Sequence, residues 1–134
     1  MKSIFINENE KVEVMIYLIE DNNGEILASN NKKGLLSQKN IVKDTFQEHT
    51  ITFKLPNYGD SADIYKDSFK LENGDLKVDP SSLRINKFVN LLKKWTFVDE
   101  NNKPIPANKK NIMKLHSSLA NLILNEFEKL TDDS

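Results

Sequence analysis

Residues 11–20 (KVEVMIYLIE) constrain the fold of this chain more than any other segment. Apolar side chains fall on both faces of an extended strand, at even positions (Val12, Val14, Ile16, Leu18) and at odd positions (Met15, Tyr17, Ile19). A strand that is apolar on both faces is usually central in its sheet or covered on both sides. Residues 21–24 (DNNG) have the composition of a tight turn. The sequence therefore predicts a hairpin in which residues 25–28 pair back on residues 11–20.

A further strand is predicted at residues 49–55 (HTITFKL), where Ile51, Phe53 and Leu55 alternate with polar residues. Pro56 ends this strand because proline cannot donate a backbone hydrogen bond within a sheet. Residues 35–46 (LLSQKNIVKDTF) are ambiguous. They predict either a weak helix or irregular structure, and the helix would be anchored by Leu35, Ile41, Val42 and Phe46.

Two helices are predicted in the middle of the chain. The first covers residues 61–70, with Asp60 or Ser61 as its cap and a buried stripe of Ile64, Tyr65 and Phe69. Residues 72–75 (ENGD) then predict a turn. The second helix begins at Asp79, with Pro80 in its first turn. It is predicted to extend as far as the only tryptophan, and its apolar stripe consists of Ile85, Phe88, Leu91, Leu92 and Trp95.

The last part of the chain predicts a turn, an arm and two helical segments. Residues 99–102 (DENN) form the turn, and residues 103–106 (KPIP) are extended because proline restricts the backbone around it. Asn108 is predicted to cap a short helical turn, and Ser117 to cap the final helix. That helix has a clean apolar stripe made of Leu119, Leu122, Ile123, Phe127 and Leu130. Residues 131–134 are expected to be a frayed acidic tail.

The length of 134 residues is that of one domain with one core. Strands dominate residues 1–56 and helices dominate residues 57–134. We therefore expect a single α+β domain, in which a small antiparallel sheet packs against three or four helices and the C-terminal half is helical.

The composition excludes several classes of function. The formal net charge is −1 and the lysines are scattered, which does not predict a nucleic-acid-binding surface. The absence of cysteine excludes disulfides, thiolate nucleophiles and sulfur-ligated metals. The longest apolar run, residues 14–19, is too short to span a membrane, and the amino terminus lacks the apolar stretch of a secretory signal. We expect an intracellular protein that binds neither nucleic acid nor membrane.

Few residues are candidates for chemistry. His49 and His116 lie far apart and share no ligand-like spacing with acids. Three acids stand at the start of a predicted helix, where they complement the helix dipole without a metal (Asp60, Asp63, Asp67). The glycines are isolated, and no serine lies in the sequence context of a nucleophile. No catalytic residue, metal site or cofactor is expected, so the chain is predicted not to be an enzyme.

Partner-binding residues are predicted in the last third of the chain. Trp95 is either a core residue or a partly exposed anchor beside the arm that contains Ile105. The last helix has the same two interpretations, because an apolar stripe can face the core or dock in a groove of another protein. The predicted contact residues for a protein partner are Trp95, Ile105, Leu122 and Phe127.

Residues 88–130 carry a pattern of short motifs. These are Lys94-Trp95, the turn at residues 98–101 (VDEN), the arm at residues 103–106, Asn111-Ile112 with Leu115, and Leu119-Ala120. The pattern resembles the carboxy-terminal part of bacteriophage tail assembly chaperones and related tail accessory proteins. Residues 49–54 followed by Pro56 also resemble the first strand of such proteins. The chain departs from the pattern at Asn102, where glycine is expected, and at Asn108, where a threonine or serine cap is usual.

The resemblance implies a non-enzymatic protein in the host cytoplasm that binds a tape-measure or tail tube protein and keeps apolar helices soluble. Many such proteins self-associate, so the resemblance also implies that this chain can form a homo-oligomer. Two alternatives remain: a structural virion component, such as a connector, terminator or baseplate piece, and an unrelated intracellular protein-binding domain.

Overall fold

The computed structural model describes residues 3–131 of the chain. Most of the predicted acidic tail, residues 132–134, lies outside the described residues. The elements in order are β1 (Lys11–Asp21), β2 (Ile26–Ser29), α1 (Lys32–Leu36), β3 (Ile41–Lys54), α2 (Tyr58–Lys66), β4 (Phe69–Glu72), β5 (Asp75–Val78), α3 (Pro80–Leu91), β6 (Leu92–Trp95), α4 (Lys109–Ile112) and α5 (Ser117–Thr131). The predicted α+β class is confirmed, with the strands of the main sheet mostly in the first half and the longest helix at the end.

The main sheet has four antiparallel strands in the order β2-β1-β3-β6. The predicted hairpin of β1 and β2 is confirmed, and β1 lies inside the sheet, as its apolar residues on both faces indicated. In the turn, the carboxylate of Asp21 accepts hydrogen bonds from the backbone N–H groups of Asn23 (2.8 Å) and Glu25 (2.9 Å). Gly24 adopts a φ of 80°, which glycine tolerates without a steric penalty.

The weak helix considered for residues 35–46 is wrong. The helix α1 ends at Leu36, and the chain then forms the first half of β3, which pairs with the far end of β1. Ile41 stands opposite Asp21, and the ring of Phe46 stacks on Tyr17 with centroids 6.1 Å apart. Local helix propensity is weak in this segment, so pairing with a distant strand determines its structure.

Both ends of helix α2 also differ from the prediction of residues 61–70. The cap of α2 is Asn57, whose side-chain oxygen accepts from the backbone N–H of Asp60 at 2.8 Å. The carboxylate of Asp60 in turn accepts from the backbone N–H of Asn57 at 3.0 Å, which completes a capping box. The helix ends at Lys66, and the following residues form the hairpin β4–β5 rather than more helix. Of the predicted stripe only Ile64 is buried, whereas Tyr65 and Phe69 are exposed.

The helix α3 begins as predicted, with Asp79 at the cap position and Pro80 in the first turn, but it ends at Leu91. Residues Leu92–Trp95 form β6, in which Trp95 pairs with Ile51 at the edge of β3. The prediction that Trp95 lies on this helix is therefore wrong. The free edge of β3 offers hydrogen-bond partners to the backbone of these residues. An irregularity in the register of β3 and β6 places Trp95 opposite Ile51 and Leu92 opposite Phe53, so both side chains lie on the core side of the sheet although they are three residues apart.

The segment after β6 agrees with the sequence except at the predicted cap of the last helix, Ser117. Asn102 adopts a φ of 60° in the predicted turn, a left-handed conformation that explains why glycine is expected there. The arm is held against the preceding chain, because the N–H of Ile105 donates to the carbonyl of Phe97 at 3.0 Å. The side chain of Asn108 caps α4, as predicted. In α5 the carbonyl of His116 accepts from Ala120, so the helix cap position falls one residue before Ser117.

The core lies between one face of the main sheet and the helices α3 and α5. At its centre the ring of Phe53 lies 5.4 Å from Phe88 and 4.5 Å from Phe127, measured between centroids. The stripe of α5 is confirmed at Ile123 and Phe127, which are buried, but Leu130 is exposed. The residues of this cluster are Val14, Ile16, Ile51, Phe53, Ile64, Phe88, Leu91, Phe97, Ile112, Ile123, Leu124 and Phe127.

Candidate protein-binding cleft

An open cleft of about 520 Å³ lies between the main sheet and the segment that follows β6. One side is formed by the end of β1, the start of β2 and the middle of β3, and the other by residues 95–105 with α4 and the start of α5. We refer to it as the end cleft. Its apolar lining residues are Leu18, Ile26, Trp95, Phe97, Val98, Ile105, Leu115 and Leu119, and its polar ones are Glu20, Gln47, His49, Asp99, Glu100, Asn111 and Lys114.

Trp95 and Ile105 join the strand β6 to the proline-containing arm. The indole Nε1 of Trp95 donates to the carbonyl of Ile105 at 2.6 Å, and the indole ring meets Phe97 edge-on at 5.1 Å. Farther along, the side-chain amide of Asn111 donates to the carbonyl of Pro106 at 2.8 Å. Because these hydrogen bonds satisfy the carbonyl groups of the arm within the protein, this wall of the end cleft presents mainly apolar surface.

His49 is the one buried titratable side chain among the described residues of the end cleft, and both of its ring nitrogens are engaged. Nε2 lies 2.7 Å from the amide oxygen of Gln47, which only accepts, so Nε2 carries the proton. Nδ1 therefore accepts from the hydroxyl of Thr96 at 2.9 Å, and this hydroxyl oxygen also accepts from the N–H of Thr50 at 3.0 Å. A ring bound on both sides, and packed 4.8 Å from Phe97, has no free nitrogen for a ligand.

Burial lowers the pKa of His49 below its ordinary value of 6.5, although a hydrogen bond between the imidazole and the backbone of Thr96 acts in the opposite direction. The unfolded chain therefore binds a proton at His49 at a higher pH than the folded chain does. We expect the free energy of unfolding to decrease as pH falls below about 6.5, by at most about 1.4 kcal/mol per pH unit for one proton. Urea unfolding at a series of pH values between neutral and mildly acidic measures this slope.

The matched variants for this prediction are His49→Gln and His116→Gln. His49→Gln is expected to flatten the slope, and His116→Gln, at an exposed histidine, serves as the control. The carboxyl groups of Asp60 and Asp79 do not account for this pH dependence of the free energy of unfolding. Burial raises the pKa of Asp60, but the Asn57 N–H and the Lys54 ammonium outweigh it and hold that pKa below 3.8. The pKa of Asp79 is also lowered, and the hydrogen bond from the hydroxyl of Ser82 is the largest cause. An equal slope in both histidine variants would contradict the assignment.

The structure brings together two of the four predicted contact residues. Trp95 and Ile105 both line the end cleft. Leu122 is half-buried against the core and is not part of this lining, and Phe127 is only 1% exposed. In this fold the ring of Phe127 has no surface to offer a partner. Sequence reasoning missed Leu18, Ile26 and Leu119, since nothing local shows that these residues line the same cleft.

Of the acids singled out in the sequence, Asp60 has a structural role. Asp60 completes the cap of α2 and forms an ion pair with Lys54 at 2.9 Å. Between residues 3 and 131 there is no group of three or more His, Asp or Glu side chains placed to hold a metal ion. None of the helices in that range has the length and apolar composition that a membrane span requires.

Comparisons of the chain with protein-family models, with curated proteins and with solved structures found no match. The resemblance of residues 88–130 to phage tail proteins therefore rests on the motifs alone.

Proposed function

We propose that this protein is a non-enzymatic protein-binding factor whose end cleft receives an apolar segment of its partner. The observation that carries the proposal is the lining of the end cleft, in which Trp95, Ile105 and Ile26 present apolar surface to solvent. Ile26 is 58% exposed although it belongs to the sheet face that elsewhere forms the core. An uncovered part of a core-forming face is a typical site for an apolar partner.

The polar groups of the end cleft favour binding over chemistry. The buried imidazole of His49 is held by Gln47 and Thr96, so it is not poised to transfer a proton. The charged residues Glu20, Glu100 and Lys114 stand among the lining, where they discriminate between partners by charge. Apolar lining with a few charges of both signs is the usual composition of a protein-binding surface.

The partner that we propose is an amphipathic helix of a phage tape-measure protein, or of another tail protein. Two points support this choice: the motifs of residues 88–130 resemble those of tail assembly chaperones, and the same residues form one wall of the end cleft. A helix with apolar residues on one side would bury them against Trp95, Ile105 and Ile26, which is the common way for a helix to dock in a groove.

The test is a pull-down of the tagged protein from cells that also express its neighbouring genes, with the recovered partner identified by mass spectrometry. The affinity of that partner is then measured by the fluorescence of Trp95, the only tryptophan of the chain. Ile26→Asp is expected to weaken binding at least about tenfold, because a carboxylate must be desolvated in an apolar contact. The melting temperature is expected to fall only slightly: Ile26 is exposed, but the new carboxylate stands opposite Glu20 in β1.

Leu130→Asp is the matched control, because Leu130 is an exposed leucine of similar exposure (60%) on α5, outside the end cleft. It is expected to leave binding intact. Recovery of a long helical tail protein whose binding is lost only with Ile26→Asp supports the proposal. Recovery of tube, portal or baseplate subunits instead would favour a structural virion component. Equal binding by wild type and Ile26→Asp would remove the end cleft as the site.

A further inference from the structure

The hairpin β4–β5 forms a small sheet of its own, separate from the main sheet. Its strands pair only with one another in the described part of the chain, through a tight turn at Asn73 (φ 52°) and Gly74 (φ 82°). Both strands are exposed along nearly their whole length. A two-stranded hairpin with no covering layer is marginally stable in water, and both of its edges are free to pair.

The hairpin has one apolar face and one charged face. Cross-strand neighbours share a face, so Phe69 with Val78 and Leu71 with Leu76 form the apolar one. Leu71 is 74% exposed and Leu76 is 67% exposed. The ring of Tyr65 on α2 lies 6.2 Å from that of Phe69 and continues the apolar surface on the side of β4. We refer to these residues as the hairpin face.

The charged face places like charges opposite one another. Lys70 stands opposite Lys77, and Glu72 stands opposite Asp75. Like charges at directly opposed positions destabilise a strand pair. The ion pairs of Lys70, with Glu72 at 4.0 Å and Asp79 at 3.8 Å, are long and start from a half-exposed ammonium group, so they contribute little. A neighbouring strand with the opposite order of charges would relieve this repulsion.

We propose that a second copy of this chain supplies that strand, by pairing its β4 antiparallel to β4 about a two-fold axis at Leu71. In this register Lys70 of each copy faces Glu72 of its partner, and Leu71 faces Leu71 of the other copy. The segment Lys70-Leu71-Glu72 is thus complementary to itself in the antiparallel direction. The two hairpins become one four-stranded sheet, and their apolar faces join. This proposal does not depend on the end cleft.

The expected dimer is weak. The hairpin face offers on the order of several hundred Å² of apolar surface per copy, judged from the size of its aromatic and leucine side chains. That area is at the low end of specific protein interfaces, which corresponds to dissociation constants in roughly the micromolar range. The charged pairs at its edge should make association weaker at high salt.

Analytical ultracentrifugation of the full chain over a concentration series measures the dimer directly. Lys70→Glu puts two glutamates opposite each other at both ends of the proposed contact, and Glu72→Lys does the same with lysines. Each single variant is expected to raise the dissociation constant at least about tenfold. Within the hairpin, each substitution replaces a like-charge pair by an opposite-charge pair. Lys70→Glu also removes the ion pairs with Glu72 and Asp79, so its melting temperature is expected to change little, whereas Glu72→Lys loses only the weak pair with Lys70 and should not lower the melting temperature. Glu72→Lys therefore separates lost association from lost folding.

The decisive comparison mixes the two single variants. Lys70→Glu and Glu72→Lys are complementary to each other, so an equimolar mixture is expected to form the heterodimer. The double variant Lys70→Glu/Glu72→Lys restores complementarity within one chain and is expected to dimerise like the wild type. A wild type that is monomeric at every concentration would overturn the proposal, and so would a dimer that neither single variant weakens. Partner binding at the end cleft is expected to be unaffected in all of these variants.

Discussion

Replacing Phe127 by alanine is expected to lower the free energy of unfolding by about 3–5 kcal/mol. The ring is only 1% exposed and lies 4.5 Å from Phe53, at the point where α5 crosses the main sheet. Its removal leaves a cavity that is walled by β-strands and by α3, which cannot collapse without losing their own packing. Phe127 was predicted from the sequence as a contact residue, so its effect on stability also reports which of its two interpretations holds.

Urea unfolding followed by circular dichroism measures this change, with Leu130→Ala as the control on the same helix. Because Leu130 is exposed, its replacement is expected to change the free energy of unfolding by less than about 0.5 kcal/mol. A small effect for Phe127→Ala, together with loss of partner binding, would place this stripe of α5 at an interface and contradict the described core.

Replacing Trp95 by alanine is expected to cost about 2–4 kcal/mol, somewhat less than for a fully buried aromatic residue. The indole packs on Phe97, closes the edge of the core beside Ile51, and holds the arm through the carbonyl of Ile105. Without it, the arm loses its attachment to β6 and one wall of the end cleft loses its support. Both stability and partner affinity should therefore decrease.

Trp95→Phe separates packing from hydrogen bonding. Phenylalanine keeps an aromatic ring beside Phe97 but cannot donate to Ile105, so we expect a loss of about 1 kcal/mol, the usual contribution of one hydrogen bond. Thermal and urea unfolding of the two variants give the comparison. If Trp95→Ala were no less stable than Trp95→Phe, the ring would not have the structural role described here.

Local patterns were sufficient for the elements that are determined within a few residues. The hairpin of β1 and β2, the cap at Asn108 and the apolar stripe of α5 follow from period, turn composition and capping, and the structure confirms them. Asn102 stands where the motif pattern predicts glycine, and its positive φ explains why glycine is expected at this position. For the hairpin turn and the cap, the stabilising interactions lie within a few residues of chain. For α5 only the period is local, because Phe127 packs on the distant Phe53 and Leu130 of the same stripe is exposed.

The misassigned elements are those whose partners lie far away in the sequence. Residues 41–46 become strand because β1 is available to pair with them, and Leu92–Trp95 leave the helical pattern because β3 has a free edge. The strands of the β4–β5 hairpin were missed because an apolar residue at every second position over four residues is too short a pattern to separate from a helix.

The sequence by itself determined the α+β class, the inner position of β1 and the helical end of the chain. Only the tertiary structure decided which apolar residues remain uncovered. It buries Phe127, leaves Ile26 exposed at the end cleft, and leaves Leu71 exposed on the hairpin. The physical reason is that periodicity shows which side of an element is apolar, whereas coverage depends on where distant elements begin and end.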